Sequence, residues 1–355
     1  MLYMPQSSPS DLARTRVAVP YAGPMRTIVI PIAALALLAS GCSASPDADP
    51  TPEARTTTVS SCGLDLTVDA APERAVTLEQ GATELLLALG LGDAMIGTSY
   101  LTDAVAPEFA DAYAQIPVLA DQYPTAEQLR EANPDFVYSM RASAFSADAV
   151  GERSELIGLG VPAYLSSNDC EDTALIADRA GFDQIFGEIS DLASVFGVED
   201  RGAELIAAQQ ETLDRVADSA GALDTMDVVS IYSTINGAPI VAGNAGLPQT
   251  LTELAGADNA FDDLDAQWTE TSWDQIAQRD PDVLVLADLS RGLDGDSAQD
   301  KIDALRADSV TAGLTAVQQD RLVAVPATEM DPSVRSIDAL ATLSGALVEY
   351  AGATS

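Results

Sequence analysis

Histidine is absent from this chain of 355 residues, and lysine occurs once, as Lys301. Without histidine a Ser-His-Asp triad cannot form, and the imidazole ligands that commonly hold zinc or copper are missing. The sequence also contains no Gly-x-Ser-x-Gly turn and no phosphate-binding glycine loop. We therefore predict that the protein is not an enzyme, with no catalytic residue, no bare metal ion and no cofactor.

Positive charge is scarce throughout, since 17 basic side chains face 55 acidic ones, for a net charge of -38. A surface so acidic repels phosphate backbones, which argues against nucleic acid as a partner. The hydrophobic fraction of 47% predicts a globular body rather than a disordered chain.

The N-terminal region carries an export signal. A basic start at Met25-Arg26 precedes an uncharged, largely apolar run over 27–40 and then Gly41-Cys42. That run is shorter than the roughly 20 residues a spanning helix needs, and small residues precede the cysteine, as in a secretory signal. We predict a signal peptide over 1–41 and a flexible tether over 42–58. Residues 1–24 are interpreted as an over-extended start, with the true start at Met25, or as an unusual leader.

The residues Ala39-Ser40-Gly41-Cys42 resemble the lipobox of bacterial lipoproteins, although Leu38 lies one place earlier than the usual leucine. The resemblance implies a lipid on Cys42 that anchors the protein to the outer face of the cell membrane, extracellular or periplasmic. The alternative is a plain secretory signal with a chance cysteine. Cys62 and Cys170 remain as a pair in an oxidising compartment, which favours a disulfide over two buried thiols.

From residue 59 onward, short apolar strands alternate with helices, a pattern typical of parallel sheets covered by helices. We predict a hairpin over 59–68 and strands over 75–78, 95–99, 136–140, 163–166, 228–232, 239–242, 283–287 and 322–325. We predict helices over 82–89, 126–132, 147–159, 173–196, 200–218, 248–254, 272–277 and 336–350.

One motif occurs in both halves of the chain. A helix with Glu127 leads to a Pro-Asp break at Asp135 and a buried strand, and Asp274 and Asp282 repeat this order 147 residues later. Coincidence between two ordinary joints is the alternative. The repeat lies on both sides of a proline-free helical region and favours two similar lobes.

Four segments together resemble the substrate-binding lipoproteins of ABC importers in the iron-siderophore (class III periplasmic binding protein) family. These segments are residues 72–78, 82–93, 268–276 and 321–326. The resemblance covers the chain from residue 58 to its end. It implies an α/β fold of two Rossmann-like, ligand-binding lobes with parallel sheets, 59–197 and 221–355, joined by a single long rigid helix over 198–220. It also implies a ligand in the interlobe cleft and an ABC transporter permease as partner.

The ligand class follows from the residues that are available. Relatives that bind bare manganese or zinc use histidine, whereas a ferric siderophore brings its own oxygen ligands and needs only aromatic and guanidinium groups. A cobalamin carrier, a haem carrier that uses tyrosine, and a sensor or adhesion lipoprotein stay open as alternatives. The acidic surface favours a neutral or cationic hydroxamate chelate over an anionic one.

The candidate ligand-binding residues lie at or beyond the ends of predicted strands, where open α/β sheets bind ligands. The resemblance places Trp268 in the cleft, with a core tryptophan as the alternative, and Trp273 is interpreted as packing. The other candidates are Arg141, Arg291, Arg335, Tyr100, Tyr123, Phe145 and Tyr232. For each arginine the alternative is a surface salt bridge. Glu79 is interpreted as part of the first-lobe rim, and Glu84 and Glu253 as acids that dock the permease.

Overall fold

The structure, a computed structural model, describes residues 56–353 apart from Ala222, Asn236 and Leu293. The predicted signal peptide, Cys42 and all but the last three residues of the predicted tether lie outside the described residues. Of the described helices, none has the length and apolar content needed to span a membrane.

The first lobe opens with the predicted hairpin, in which strands β1 (Thr57–Ser61) and β2 (Leu64–Val68) pair antiparallel. The two residues between them, Cys62 and Gly63, both have positive φ, at 46° and 77°. Positive φ at both central positions is typical of the tight turn whose twist matches a hairpin.

A parallel sheet forms the body of the first lobe, with the strand order β5-β4-β3-β6-β7. Every residue of β3 is buried, as expected for a strand covered by helices on both faces. The strands are β3 (Ala75–Leu78), β4 (Met95–Ser99), β5 (Val118–Ala120), β6 (Phe136–Ser139) and β7 (Ala163–Leu165). The helices are α1 (Gln80–Ala88), α2 (Ala110–Tyr113), α3 (Ala126–Ala132) and α4 (Arg153–Gly158).

Two helices follow, α5 (Phe182–Phe196) and α6 (Glu199–Ala220). The 22 residues of α6 give a rod of about 33 Å at 1.5 Å per residue, and this long helix joins the two lobes. The structure corrects the helix predicted over 173–196. Its first part forms only a short 3-10 turn, Thr173–Leu175, capped by Asp172. The chain then crosses to the second lobe, where the Ala180 N–H donates to the Ala245 carbonyl.

The second lobe has a sheet ordered β11-β9-β8-β12-β13, with β10 beside the start of β8. Its strands are β8 (Asp227–Ile235), β9 (Ala238–Ala242), β10 (Asp258–Asn259), β11 (Trp268–Glu270), β12 (Val283–Asp288) and β13 (Leu322–Pro326). Its helices are α7 (Leu247–Leu254), α8 (Trp273–Arg279), α9 (Ala298–Ala307), α10 (Thr315–Gln318), α11 (Ala327–Met330) and α12 (Ser336–Ala353). Strand β9 runs antiparallel to both of its neighbours, β8 and β11, so this sheet is mixed. The direction of β9 reverses because a short turn through Gly237 (φ 83°) makes β8 and β9 a hairpin.

The repeat predicted between the two halves is present in atomic detail. Thr125 caps α3 and Ser272 caps α8, each accepting a hydrogen bond from the backbone N–H three residues later. Both helices end at a residue in the left-handed region, Asn133 and Asp280. The Pro-Asp carboxylates then accept hydrogen bonds from the start of the neighbouring strand region, Asp135 from the Arg74 N–H and Asp282 from the Asp227 N–H.

The helix predicted over 147–159 is shorter in the structure, where α4 covers only Arg153–Gly158. The Ala149 and Gly151 N–H groups both donate to the Ser146 carbonyl, which folds this stretch into a turn. Gly151 has a φ of 99°, outside the helical region.

One continuous hydrophobic core runs through both lobes. It includes Leu85 of α1, Ile189 of α5, Val285 of β12 and Leu340 of α12. Within the same region the Gln209 side chain of α6 donates to the Val334 carbonyl at 2.8 Å. Because close-packed interiors resist deformation, this shared core makes the joint between the lobes stiff.

The disulfide predicted from parity and compartment is present between Cys62 and Cys170, with Cα atoms 5.3 Å apart. It ties the β1-β2 turn to the loop after β7.

Candidate functional site

A cavity of about 330 Å³ lies between the two lobes. Its first-lobe walls lie beyond the carboxyl ends of the strands of that lobe, from β3 to β7. Its second-lobe walls include Tyr232 of β8, Trp268 of β11 and the segments after β12 and β13. In the first sheet the connections leave β3 and β6 in opposite directions, and such a switch point opens a crevice at the strand ends. The cavity therefore lies where both the fold and the sequence place a ligand.

Two aromatic pairs line the cavity, one from each lobe. Tyr100 and Tyr123 pack edge to face with ring centroids 4.7 Å apart, and Tyr232 and Trp268 lie 5.0 Å apart. Tyr100 follows β4 directly and has a φ of 57°, a conformation that costs free energy in a bulky residue. All four were predicted, Trp268 from the family resemblance and the three tyrosines from their positions at strand ends or in the loops beyond.

Two predicted arginines also line the cavity, and each is already paired with a carboxylate. Arg141 of the first lobe meets Asp331 of the second lobe at 2.8 Å. Arg291 holds Asp296 through Nε at 3.0 Å and Nη2 at 2.6 Å. Asp296 is itself buried, and its carbonyl accepts a hydrogen bond from the buried Lys301 ammonium. The Arg291 side chain is thus fixed from behind.

Glu79 occupies the switch point between β3 and β6. Its carboxylate accepts hydrogen bonds from the Met140 N–H at 2.8 Å and the Ser139 hydroxyl at 2.9 Å. Burial raises the pKa of Glu79 to about 7, because a buried carboxylate loses its hydration. Placed on the rim by its position after β3, this residue lines the cavity and titrates near neutral pH.

Two of the predicted ligand-binding residues lie elsewhere. Phe145 is 4% exposed and packs in the first-lobe core, because the 3-10 turn Ala142–Ala144 folds the chain back after β6. Arg335 is 8% exposed and lies behind the cavity wall, where it pairs with Glu84 at 3.4 Å and Glu329 at 2.7 Å. Neither side chain lines the cavity.

One of the two acids interpreted as docking the permease needs correction. Glu84 is completely buried and accepts hydrogen bonds from Gln80, the Ala106 N–H and Arg335, so it cannot meet another protein. Glu253 lies on α7, is half exposed and pairs with Arg179 at 2.6 Å, so its docking role stays a prediction.

The lobes also touch beside the cavity. The Asp103 carboxylate of the first lobe accepts hydrogen bonds from the Thr328 N–H and hydroxyl at 2.9 and 2.6 Å. The Ser290 hydroxyl donates to the Thr102 carbonyl at 3.1 Å. These contacts close one side of the cleft.

Several lining residues were not predicted, among them Asp169, Asp331, Asn168 and Ser333. Asp331 directly follows α11, a helix of four residues that is too short for a sequence pattern to mark. In a chain with 55 acidic residues, no residue type distinguishes these two aspartates from the others. Trp273, interpreted as packing, contacts the second-lobe core and donates to the Gly237 carbonyl at 2.9 Å.

Within the described part of the chain, no three Asp, Glu or Cys side chains converge on a point where they could hold a metal ion. Aromatic faces, guanidinium donors and carboxylates are instead suited to an organic ligand or a chelate with its own coordination.

A family model described as periplasmic binding protein matches residues 76–329. Among curated proteins, an uncharacterised ABC transporter substrate-binding lipoprotein of Bacillus subtilis is 22% identical over 227 residues. That match covers 63% of this chain and 66% of the relative, just under two thirds of its length. A vitamin B12-binding protein of Yersinia pestis is 24% identical over 229 residues, covering 64% of this chain and 74% of the relative.

Solved structures give the same fold. A periplasmic binding protein from Veillonella parvula matches with a TM-score of 0.71 and 28% identity, over 82% of this chain and 97% of that one. A structure described as an ABC-type Fe3+-hydroxamate transport system from Saccharomonospora viridis matches with a TM-score of 0.67 and 25% identity, over 82% of this chain and 98% of that one.

Proposed function

Because the chain belongs to the periplasmic binding protein family, we propose that it captures a ferric siderophore between its lobes and delivers it to an ABC importer for iron uptake. The observation that supports this best is the lining of the interlobe cavity, with two aromatic pairs and two arginines in about 330 Å³. Such a volume is within the range of small-molecule sites. The relative that transports an Fe3+-hydroxamate has the same fold.

The physical case rests on what a ferric chelate needs from a protein. Its iron is already saturated by chelate oxygens, so the protein contributes flat aromatic faces and N–H donors rather than metal ligands. Trp268, Tyr232, Tyr100 and Tyr123 supply the faces, and Arg141 and Arg291 supply the donors. A chain without histidine is suited to this task and poorly suited to a bare transition ion.

Tryptophan fluorescence tests the proposal, because the chain has only two tryptophans and just one lines the cavity. We expect a ferric trihydroxamate to quench the emission of the protein saturably, while free Mn²⁺ and Zn²⁺ have no specific effect. Trp268→Ala should lose most of the quenching. Trp273→Phe is the control, since Trp273 packs in the second-lobe core, and it should retain the quenching.

A corrinoid is the second candidate, favoured by the vitamin B12-binding relative. Titration with cyanocobalamin under the same conditions separates the two. Tight stoichiometric cobalamin binding together with no response to any ferric chelate would replace the siderophore with a corrinoid.

We also propose that Cys42 carries a lipid, which holds the protein at the outer face of the membrane beside its permease. A labelled fatty acid should enter the full-length chain but not a Cys42→Ala variant, and that variant should leave the membrane fraction. Labelling of both proteins would show that another residue is the anchor.

A further inference from the structure

We propose that the cavity selects a ferric chelate of neutral or positive net charge, and that Asp331 sets this selection by neutralising Arg141. This inference rests on the proposed function and narrows it to one charge class of ligand. The net negative charge of the whole chain favours the same charge class of ligand. The charged groups of the cavity are a second, local cause that can be tested separately.

The charges that line the cavity do not leave a net positive site. Two guanidinium groups, Arg141 and Arg291, face three carboxyl groups, which belong to Glu79, Asp169 and Asp331. Behind the wall, Asp296 binds Arg291 through two hydrogen bonds. Each arginine is therefore neutralised by a carboxylate even when no ligand is bound. The net charge of the groups that line the cavity is negative.

The arginines nevertheless keep free hydrogen-bond donors. Arg141 reaches Asp331 through Nη2, and Arg291 reaches Asp296 through Nε and Nη2. In the described part of the chain, Nε and Nη1 of Arg141 and Nη1 of Arg291 have no hydrogen-bond partner. A guanidinium offers five N–H donors, so both side chains can still bind the hydroxamate or carbonyl oxygens of a chelate. These arginines orient the ligand through hydrogen bonds, while their positive charge is already neutralised by carboxylates.

Asp169 provides a place for a positive group on the ligand. Its carboxylate accepts a hydrogen bond from the Ala142 N–H at 3.1 Å, and no Lys or Arg of the described chain lies within ion-pair distance of it. Asp331 lines the same cavity. An ammonium group carried by the chelate would be attracted by both carboxylates, whereas a triply anionic chelate would be repelled by them and by the net charge of -38.

Three probes of different charge test the proposal by tryptophan quenching. They are the ferric complex of desferrioxamine B, a linear trihydroxamate with a pendant ammonium group, its neutral N-acetylated derivative, and a triply anionic ferric tris-catecholate. We expect affinity to fall in that order at low ionic strength, with the catecholate at least tenfold weaker than the cationic complex. Added salt should narrow the gap, because it screens the repulsion.

The Asp331→Asn variant gives the sharper result, because it releases Arg141 from its partner without removing a buried group. We expect the affinity for the catecholate to rise and that for the cationic complex to fall, changing their ratio on the order of tenfold or more. Glu204→Gln is the matched control. It removes one charge from an exposed position on α6, and it should leave the ratio unchanged.

The outcomes are distinct. Tighter binding of the catecholate than of the cationic complex by the wild-type protein at low salt overturns the charge selection, even though the siderophore function would stand. An unchanged ratio in Asp331→Asn, with the variant melting like the wild type, overturns the role of Asp331. Failure of every ferric chelate to bind overturns the proposed function and this inference together.

Discussion

At the scale of single residues, the unusual feature is the number of carboxyl groups buried inside an acidic protein. Glu188 of α5 is 5% exposed and accepts hydrogen bonds from the hydroxyls of Tyr138 and Ser166. Burial raises the pKa of Glu188 to about 7, and the nearby Asp191 carboxylate adds to the shift. Tyr164 also belongs to this cluster, since its ring packs against Tyr138 and its hydroxyl donates to Asp191.

Replacing Glu188 with glutamine should change how stability depends on pH. The folded-state pKa of about 7 lies above the ordinary value of 4.5, so the folded wild type holds a proton that the unfolded chain releases. Its stability therefore falls as pH rises from 4.5 to 7, by on the order of 3 kcal/mol at 1.36 kcal/mol per unit.

Glu188→Gln has no such group, so its stability relative to the wild type should increase over the same window and level off above pH 8. Urea unfolding at several pH values between 4 and 8.5 measures this difference. Glu79 and Glu329, whose pKa values are also raised to about 7, are present in both proteins and cancel. A constant difference across the range would contradict the assignment.

The sequence could predict which residues lie at strand ends, but not which side chains these residues pair with. Arg141, Arg291 and Tyr100 follow strands whose apolar runs are visible, and the carboxyl ends of strands are where ligands bind. Arg335 has the same kind of position, yet it pairs with Glu84, which is 251 residues away. No local pattern reveals a pair so distant, so a buried ion pair and a ligand-binding arginine look alike in sequence.

At the scale of secondary structure elements, the crossing of α5 and α6 is where substitution has the clearest expected effect. A Cβ on Gly202 of α6 would lie 2.6 Å from the Ala193 Cβ of α5, whereas a Cβ on Gly187 of α5 would meet nothing within 4 Å. Gly187 lies on the exposed face of its helix. The two glycines are therefore a matched pair.

Gly187→Ala should stabilise the protein by about 0.5–1 kcal/mol, because alanine loses less backbone entropy in a helix. Gly202→Ala gains the same amount but forces α5 and α6 apart, so we expect a net loss of about 1–2 kcal/mol. Denaturant midpoints at constant slope measure both changes. Equal stabilisation by the two substitutions would show that the helices do not pack as closely as described.

The longer elements could be predicted because their sequence patterns are long. In α6 the helical periodicity extends over several turns, and β12 contains a run of consecutive apolar residues. Strands β5, β10 and β11 have only two or three residues each, too few for an alternating pattern to be recognised. The antiparallel direction of β9 was missed because strand direction depends on the connecting turn, here through Gly237, rather than on the composition of the strand.

At the scale of the whole molecule, the disulfide closes a large loop around the first lobe. Cys62 and Cys170 are separated by 108 residues, and in the chain-entropy model such a link restricts the unfolded chain by about 4–5 kcal/mol. Reduction of the folded protein should lower its unfolding free energy by up to that amount. Before reduction, neither cysteine should react with iodoacetamide, as read from the intact mass.

The Cys62→Ser, Cys170→Ser double variant removes the disulfide without a reductant, so the effect of the disulfide is measured apart from any effect of the reductant. It should match the reduced wild type in stability and should be insensitive to reductant. A double variant as stable as the oxidised protein would show that the link contributes nothing to stability.

Because Lys301 is buried, its chemical modification reports local opening of the second lobe. The ammonium group lies inside the second lobe, where it donates to the Ala287 and Asp296 carbonyls, and the chain has no other lysine. Burial also lowers the pKa of Lys301 to about 8, because the buried ammonium loses its hydration. Acylation of this side chain therefore proceeds only as fast as the region around β12 and α9 opens. Its rate follows that local event, and no other lysine side chain competes for the reagent.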